Sequence, residues 1–227
     1  MSSPLDNPAY ESLLGHHSRF AERQGRVLRY QEDVAPFLAL PAEPYDGVWD
    51  DVAALAGPGA VVGVNNDPPE GWELVERAGG VQLVDAGVRA EPFAEAVRLT
   101  DDDVPEMLDL VERTKPGPFR PRTIELGTYL GVRRDGVLVA MAGERMHPPG
   151  WTEISAVCTL PEFRGQGLAT RLVLAVAAGI RERGETPMMH AAATNTHAIR
   201  LYLSLGFELR ARRAFLAVRV PAPAEVA

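Results

Sequence analysis

Glu153-Ile154-Ser155-Ala156-Val157-Cys158-Thr159 runs through Leu160-Pro161-Glu162-Phe163 into Arg164-Gly165-Gln166-Gly167-Leu168-Ala169. The first seven residues read as a strand, and the glycine pair as a tight loop. Behind the loop, Leu168, Leu172, Val176 and Ile180 recur every four residues, the apolar stripe of a buried helix. Gly165 and Gly167 permit positive φ and carry no β-carbon that would block a ligand. A strand, a glycine loop and a helix N-terminus in this order can hold a phosphate group, because successive main-chain N–H groups converge on it and the helix dipole adds favourable potential.

A second block follows downstream, Asn195-x-x-Ala198-x-x-Leu201-Tyr202-x-x-Leu205-Gly206-Phe207. It places a tyrosine on a helix that stops at a glycine. Around these two blocks the elements alternate. Residues 128–132 and 137–143 read as strands joined through Asp135-Gly136, a hairpin pair suited to a type I′ turn. Residues 152–159, 187–191 and 213–220 are further strands, and 196–205 a helix. Thr100 followed by Asp101-Asp102-Asp103 starts another helix, with Val104, Met107, Leu108 and Val111 on one face. The Pro/Gly-rich loop from Lys115 to Pro121 behind it reads either as a pocket wall or as a plain connector. Towards the N-terminus the expected elements are a helix over 8–24, strands over 27–30, 60–64 and 81–84, and a helix over 45–56. That part carries no phosphate loop, no metal-ligand spacing and no nucleophile motif, and the adjacent His16 and His17, which cannot share a helical face as a metal pair would, read as surface residues.

Val157-x-Thr159-x-Pro161-x-x-Arg164-Gly165-x-Gly167-x-Ala169 resembles the acyl-CoA loop of the GNAT N-acetyltransferase superfamily, and the block from Asn195 to Phe207 is similar to its second conserved block. The resemblance covers residues 94–220, with some local phrases like the glycine N-acyltransferase branch. It implies an α/β fold with a mixed, mostly antiparallel sheet, whose strands 152–159 and 187–191 run parallel and splay apart. Residues 1–93 would be an N-terminal α/β extension, open to reading as a degenerate copy of the same fold, and 221–227 a mobile tail. Pantetheine would lie in the splay against the main chain of Val157, Cys158 and Thr159. The amides of Arg164, Gly165, Gln166, Gly167, Leu168, Ala169 and Thr170 would hold the pyrophosphate, and Asn195 would contact the pantetheine arm. Tyr202 stands where the superfamily keeps the acid that protonates the leaving thiolate. Acetyl-CoA would be a co-substrate, with no permanently bound cofactor and no metal.

Acyl transfer to an amine also needs a base, because an ammonium of pKa ~10.4 costs about 4.6 kcal/mol to deprotonate at pH 7. Strand alternation puts Glu153, Ser155 and Val157 on one face, making Glu153 the first candidate. Glu144 is its rival. Alternation turns Cys158 toward the packed side, as a core residue rather than a nucleophile.

The totals limit the alternatives. A chain of 227 residues buries roughly 70–75% of its unfolded surface, enough for one large domain or two small ones. A net charge of −8 disfavours nucleic acid and anionic membranes as partners. One cysteine allows no internal disulfide, which fits the cytoplasm. The expectation is therefore an N-acetyltransferase acting on a primary amine by direct attack in a ternary complex. A non-catalytic acyl-CoA sensor or interaction module, and an amino-acid N-acyltransferase using longer acyl groups, stay open, as does the identity of the acceptor.

Overall fold

The computed structural model describes residues 3–222. Its N-terminal part holds α1 (Pro8–Leu14), β1 (Ala21–Gln24), β2 (Val27–Tyr30), β3 (Leu38–Ala39), α2 (Val48–Ala56), β4 (Val61–Val64) and β5 (Glu73–Asp85). Then come β6 (Val97–Arg98), α3 (Val104–Thr114), β7 (Tyr129–Arg134), β8 (Val137–Glu144) and β9 (Trp151–Thr159). The chain finishes with α4 (Leu168–Glu182), β10 (Thr186–Ala192), α5 (Thr196–Ser204) and β11 (Phe207–Arg219). Strands β1, β2 and β3 make a small sheet. The other eight form one large mixed sheet in the order β4-β11-β5-β10-β9-β8-β7-β6. Within it β9 and β10 are parallel and every other neighbouring pair is antiparallel.

Local chemistry explains most element ends. Thr100 and Asp103 form a capping box ahead of α3, and Lys115 closes that helix with φ of +49°. Asn195 caps α5 by accepting a hydrogen bond from the N–H of Ala198 at 3.1 Å. The helix expected over 8–24 stops at Leu14, because Gly15 ends it and residues 21–24 pair with β2. Strands β5 and β11 are much longer than the expected 81–84 and 213–220. They pair from Phe207 opposite Asp85 to Arg219 opposite Glu73, and a division of the chain at residue 93 cuts through the sheet that contains both.

The apolar stripe of α4 packs onto the sheet as its spacing requires. Leu168, Leu172, Val176 and Ile180 are buried with Leu83, Val139, Met141 and Ile154. Each such side chain contributes about 1.5–3 kcal/mol by leaving water. A separate cluster seats the N-terminal arm on the sheet, with Leu5, Leu13 and Phe20 against Val84, Leu126, Met146 and Met188. Among the described residues no helix is long and apolar enough to cross a membrane.

Candidate active site

The centre of the large sheet opens. Strand β10 pairs with β9 from Thr186 opposite Trp151 to Met189 opposite Ile154, and the ladder then stops. Beyond that point β10 stays on β5 as far as Ala192 opposite Gly80. The ladder between β8 and β9 slips by one residue between Met141 opposite Cys158 and Gly143 opposite Ser155. Ala156, inside the slip, has φ of +52°, a left-handed conformation that costs a non-glycine residue about 1–2 kcal/mol. An extra residue of this kind bends its strand, which takes residues 155–159 away from 190–192. The same bulge interrupts the alternation expected between Glu153 and Val157.

The opening belongs to a cleft of about 1450 Å³, larger than an ordinary single-ligand pocket. One end is the glycine loop. Gly165 and Gly167 take φ of +78° and +74°, and a β-carbon on either would meet nothing within 4 Å. The N–H groups of residues 165–170, six successive donors, find no acceptor among the described residues. They precede the first turn of α4, so their dipoles and that of the helix point the same way. Val157, Cys158, Thr159, Arg164, Gly165, Gly167, Leu168, Ala169, Thr170 and Asn195 line the cleft, whereas the Gln166 side chain does not. The loop after α3 is a wall, contributed by Lys115, Pro116, Gly117 and Pro118. Phe119 turns inward and packs edge-on against Tyr129, 5.6 Å between ring centroids.

Tyr202 reaches the cleft from α5 and is only 7% exposed. Burial, and then the neighbouring Cys158, push its phenol up to about 12, so it holds its proton throughout the neutral range. Burial likewise pushes the Cys158 thiol up to about 11. Nucleophilic attack needs a thiolate, so this cysteine is a packing residue beside the cleft.

Glu153 lies behind the cleft wall at 0% exposure, away from the lining. Burial opposes its charge, but the Arg145 guanidinium outweighs it and holds the carboxyl well below the usual carboxylate range, with help from His190. Arg145 donates to both oxygens, at 2.8 and 2.6 Å. Nδ1 of His190, a cleft residue, is 2.8 Å from Glu153 Oε1. The other side of the His190 ring meets Gln82, and there the protons can be assigned. Arg210 donates to Gln82 Oε1 at 2.7 Å, which turns the Gln82 amide nitrogen toward Leu5 O at 2.9 Å and His190 Nε2 at 3.1 Å. Nε2 therefore carries a lone pair, and Nδ1–H donates to Glu153. Neither Arg145 nor Gln82 stands in a motif. Tertiary pairing brings Gln82 on β5 to this histidine on β10, and Arg145, just past β8, to Glu153 on β9.

Glu144 is 2% exposed and lies outside the cleft lining. It accepts from Arg183 at 2.9 Å and from the Thr128 N–H at 3.1 Å. His17, expected at the surface, is 1% exposed, bonded through Nδ1 to the Tyr30 hydroxyl and through Nε2 to Leu126 O. Burial, and then His147, push it down to about 3, while burial, and then His16, push His147 down to about 4. Both are neutral at physiological pH.

A strand pair that parts over a row of free N–H groups, with a protonated tyrosine between, defines the class of fold that holds acyl-CoA. The comparisons agree. The FR47-like protein family matches residues 129–216. A crystal structure of a GNAT-family protein from Novosphingobium aromaticivorans is 37% identical, with a TM-score of 0.88 over 98% of this chain and 100% of that one. A GCN5-related N-acetyltransferase from Kribbella flavida has the same fold at 19% identity, with a TM-score of 0.59 over 95% of each chain. A Drosophila protein shares it at 16% identity, with a TM-score of 0.61 over 86% of this chain and 73% of the other. No curated protein gives a significant match. The chain belongs to the GNAT family. The narrower likeness to the glycine N-acyltransferase branch is carried by none of these relatives.

Proposed function

We propose that this protein transfers an acetyl group from acetyl-CoA to a primary amine, by direct attack of the amine on the thioester in a ternary complex. The observation that carries the reading is the meeting of two features at one opening. The β9 and β10 ladder ends at Ile154 and Met189, and the same cleft is lined by Gly165, Gly167, Leu168, Ala169 and Thr170, whose N–H groups have no acceptor among the described residues. The diphosphate sits on those N–H groups, the pantetheine arm enters between the strands beside Val157 and Thr159, and Asn195 flanks it. The thioester then lies near Tyr202.

Two proton transfers complete the reaction. Tyr202 supplies a proton to the departing sulfur, as its undissociated phenol allows. Both ring nitrogens of His190 are already engaged, Nδ1–H donating to Glu153 and Nε2 accepting from Gln82, so the amine loses its proton to water in the cleft. Glu153 holds the His190 ring in the wall of the cleft, in place of acting as the direct base read from strand alternation. Arg145 keeps it ionised.

The test is release of free CoA thiol from acetyl-CoA across a panel of primary amines. Saturable release that requires both substrates is expected. Acetyl-CoA binding without turnover on any amine would favour a sensor and remove the enzymatic reading. Because water takes the amine's proton, the rate should keep rising toward about pH 10, the range in which an alkylammonium ionises by itself, and a plateau near neutral pH would instead call for a base on the protein.

A further inference from the structure

A second polar site lies at the other end of β8, apart from the cleft. The loop between β8 and β9 carries His147, and Glu144 ends β8. Their side chains are 4% and 3% exposed. Thr152 donates its only hydroxyl proton to Glu185 at 2.5 Å, so its oxygen accepts from His147 Nδ1–H at 3.2 Å. That leaves a lone pair on His147 Nε2, and Nε2 has no hydrogen-bond partner among the described residues. The atom facing it is an oxygen of Glu144, Oε2, at 3.7 Å. Glu144 Oε1 accepts from Arg183 at 2.9 Å and Oε2 takes the Thr128 N–H at 3.1 Å, so the second lone pair of Oε2 is the one that confronts Nε2.

The spacing suits a cation. Two ligands each ~2.1 Å from one ion and 3.7 Å apart subtend about 120° at it, within the ordinary range for zinc-type coordination. The space beside them is kept by Gly127. Its backbone is extended, so any residue could adopt it, but a β-carbon there would fall 2.7 Å from Glu144 Oε2 and 3.1 Å from His147 Nε2. A third ligand stands alongside. His16 is exposed and stacks on His147, 4.5 Å between ring centroids at 11°. One ligand atom each from His16, His17 and His147 falls within 4.8 Å of the others. Both nitrogens of His17 are already bonded, so it serves as a wall. To reach the ion, the exposed His16 ring must turn out of its stack on His147. The hydrogen bond from His147 Nδ1 to Thr152, backed by Glu185, is the outer support that metal-bound imidazoles commonly have.

We infer that His16, His147 and Glu144 form a binding site for one divalent transition-metal ion of the zinc type, outside the lining of the acetyl-transfer cleft. Two imidazoles and a carboxylate are the ligand set such ions favour. The ion would tie the turn after α1 to the end of β8. It would reinforce the hydrogen bond of 2.9 Å that already joins the His147 N–H to Ser12. Because α1 begins at residues that line the cleft, Pro8 and Ala9, the ion would brace one wall of the acceptor side.

The full-length protein, freed of metal with a chelator, should bind one equivalent of Zn2+ in a calorimetric titration and show a raised Tm. Co2+ in place of zinc should give visible d–d bands of a low-symmetry nitrogen and oxygen site. His16→Ala changes an exposed side chain and should leave the fold intact, yet weaken Zn2+ binding at least about tenfold. Gly127→Ala should weaken it too by filling the space. A water donating to both buried atoms is the competing occupant, and it predicts no metal binding. Failure of the wild type to bind Zn2+, or equal affinity in wild type and His16→Ala, would overturn the site. Neither result would touch the acetyl-transfer reading, which thiol release measures separately.

Discussion

Gly167→Glu is expected to abolish measurable acetyl-CoA binding while leaving a folded protein. Two effects act together. Gly167 has φ of +74°, so any side chain costs about 1–2 kcal/mol of backbone strain. A β-carbon there meets nothing within 4 Å, so the new side chain has room and collides with no part of the protein. Charge therefore decides the outcome. A carboxylate ~5 Å from a diphosphate is repelled by about 3 kcal/mol per unit of charge at an effective dielectric constant of ~20. That alone weakens binding more than about 100-fold. Gly167→Ala is the control, because it carries the strain without the charge. It should lower Tm modestly and change affinity less than about tenfold. The measurement is calorimetric titration of acetyl-CoA at fixed, low salt, since screening weakens the effect. Undiminished affinity in the glutamate variant would remove the glycine loop from coenzyme binding, and the proposed function with it.

Tyr202→Phe should lower kcat about 100-fold while KM for acetyl-CoA changes less than about threefold. The split follows from what the substitution removes. The ring is buried and sits edge-on to Phe207, 6.4 Å between centroids, and phenylalanine keeps that packing. Only the O–H is lost, and no hydrogen bond among the described residues perturbs its ionisation. With a phenol at about 12, the acid form persists far above neutral pH, so the wild-type rate should show no alkaline limb from this group below about pH 11. The loss should shrink for thioesters with more acidic thiols, whose leaving groups need less help. An unchanged kcat would take the tyrosine out of the mechanism.

Much of this site could be read without coordinates, because its parts are local. The loop from Arg164 to Ala169 works through its own main chain, and the residues that allow this, Gly165 and Gly167, are written in place. The same holds for the helix stripe of α4, the Asp135-Gly136 hairpin and the Asn195 cap of α5. Strands β5 and β11 were legible only in part. Residues 73–77 are exposed along their length, and the alternation that marks a half-buried strand is missing there. The long helix expected at residues 8–24 failed at Gly15, where the next apolar residues serve a turn and a strand.

Sequence alone determined the glycine loop at the start of α4. Its positive φ angles at Gly165 and Gly167 depend on a few consecutive residues, and glycine spacing records them directly. The surroundings of Glu153 were decided by tertiary structure. The bulge at Ala156 overrides strand alternation and leaves Glu153 behind the wall, where Arg145 and His190 meet it and Gln82 holds the far side of the histidine. The meeting of His16 with His147, and of His147 with Glu144, was settled the same way. The charge and protonation of such groups depend on which neighbours exclude water from them, and those neighbours come from segments of the chain more than a hundred residues apart.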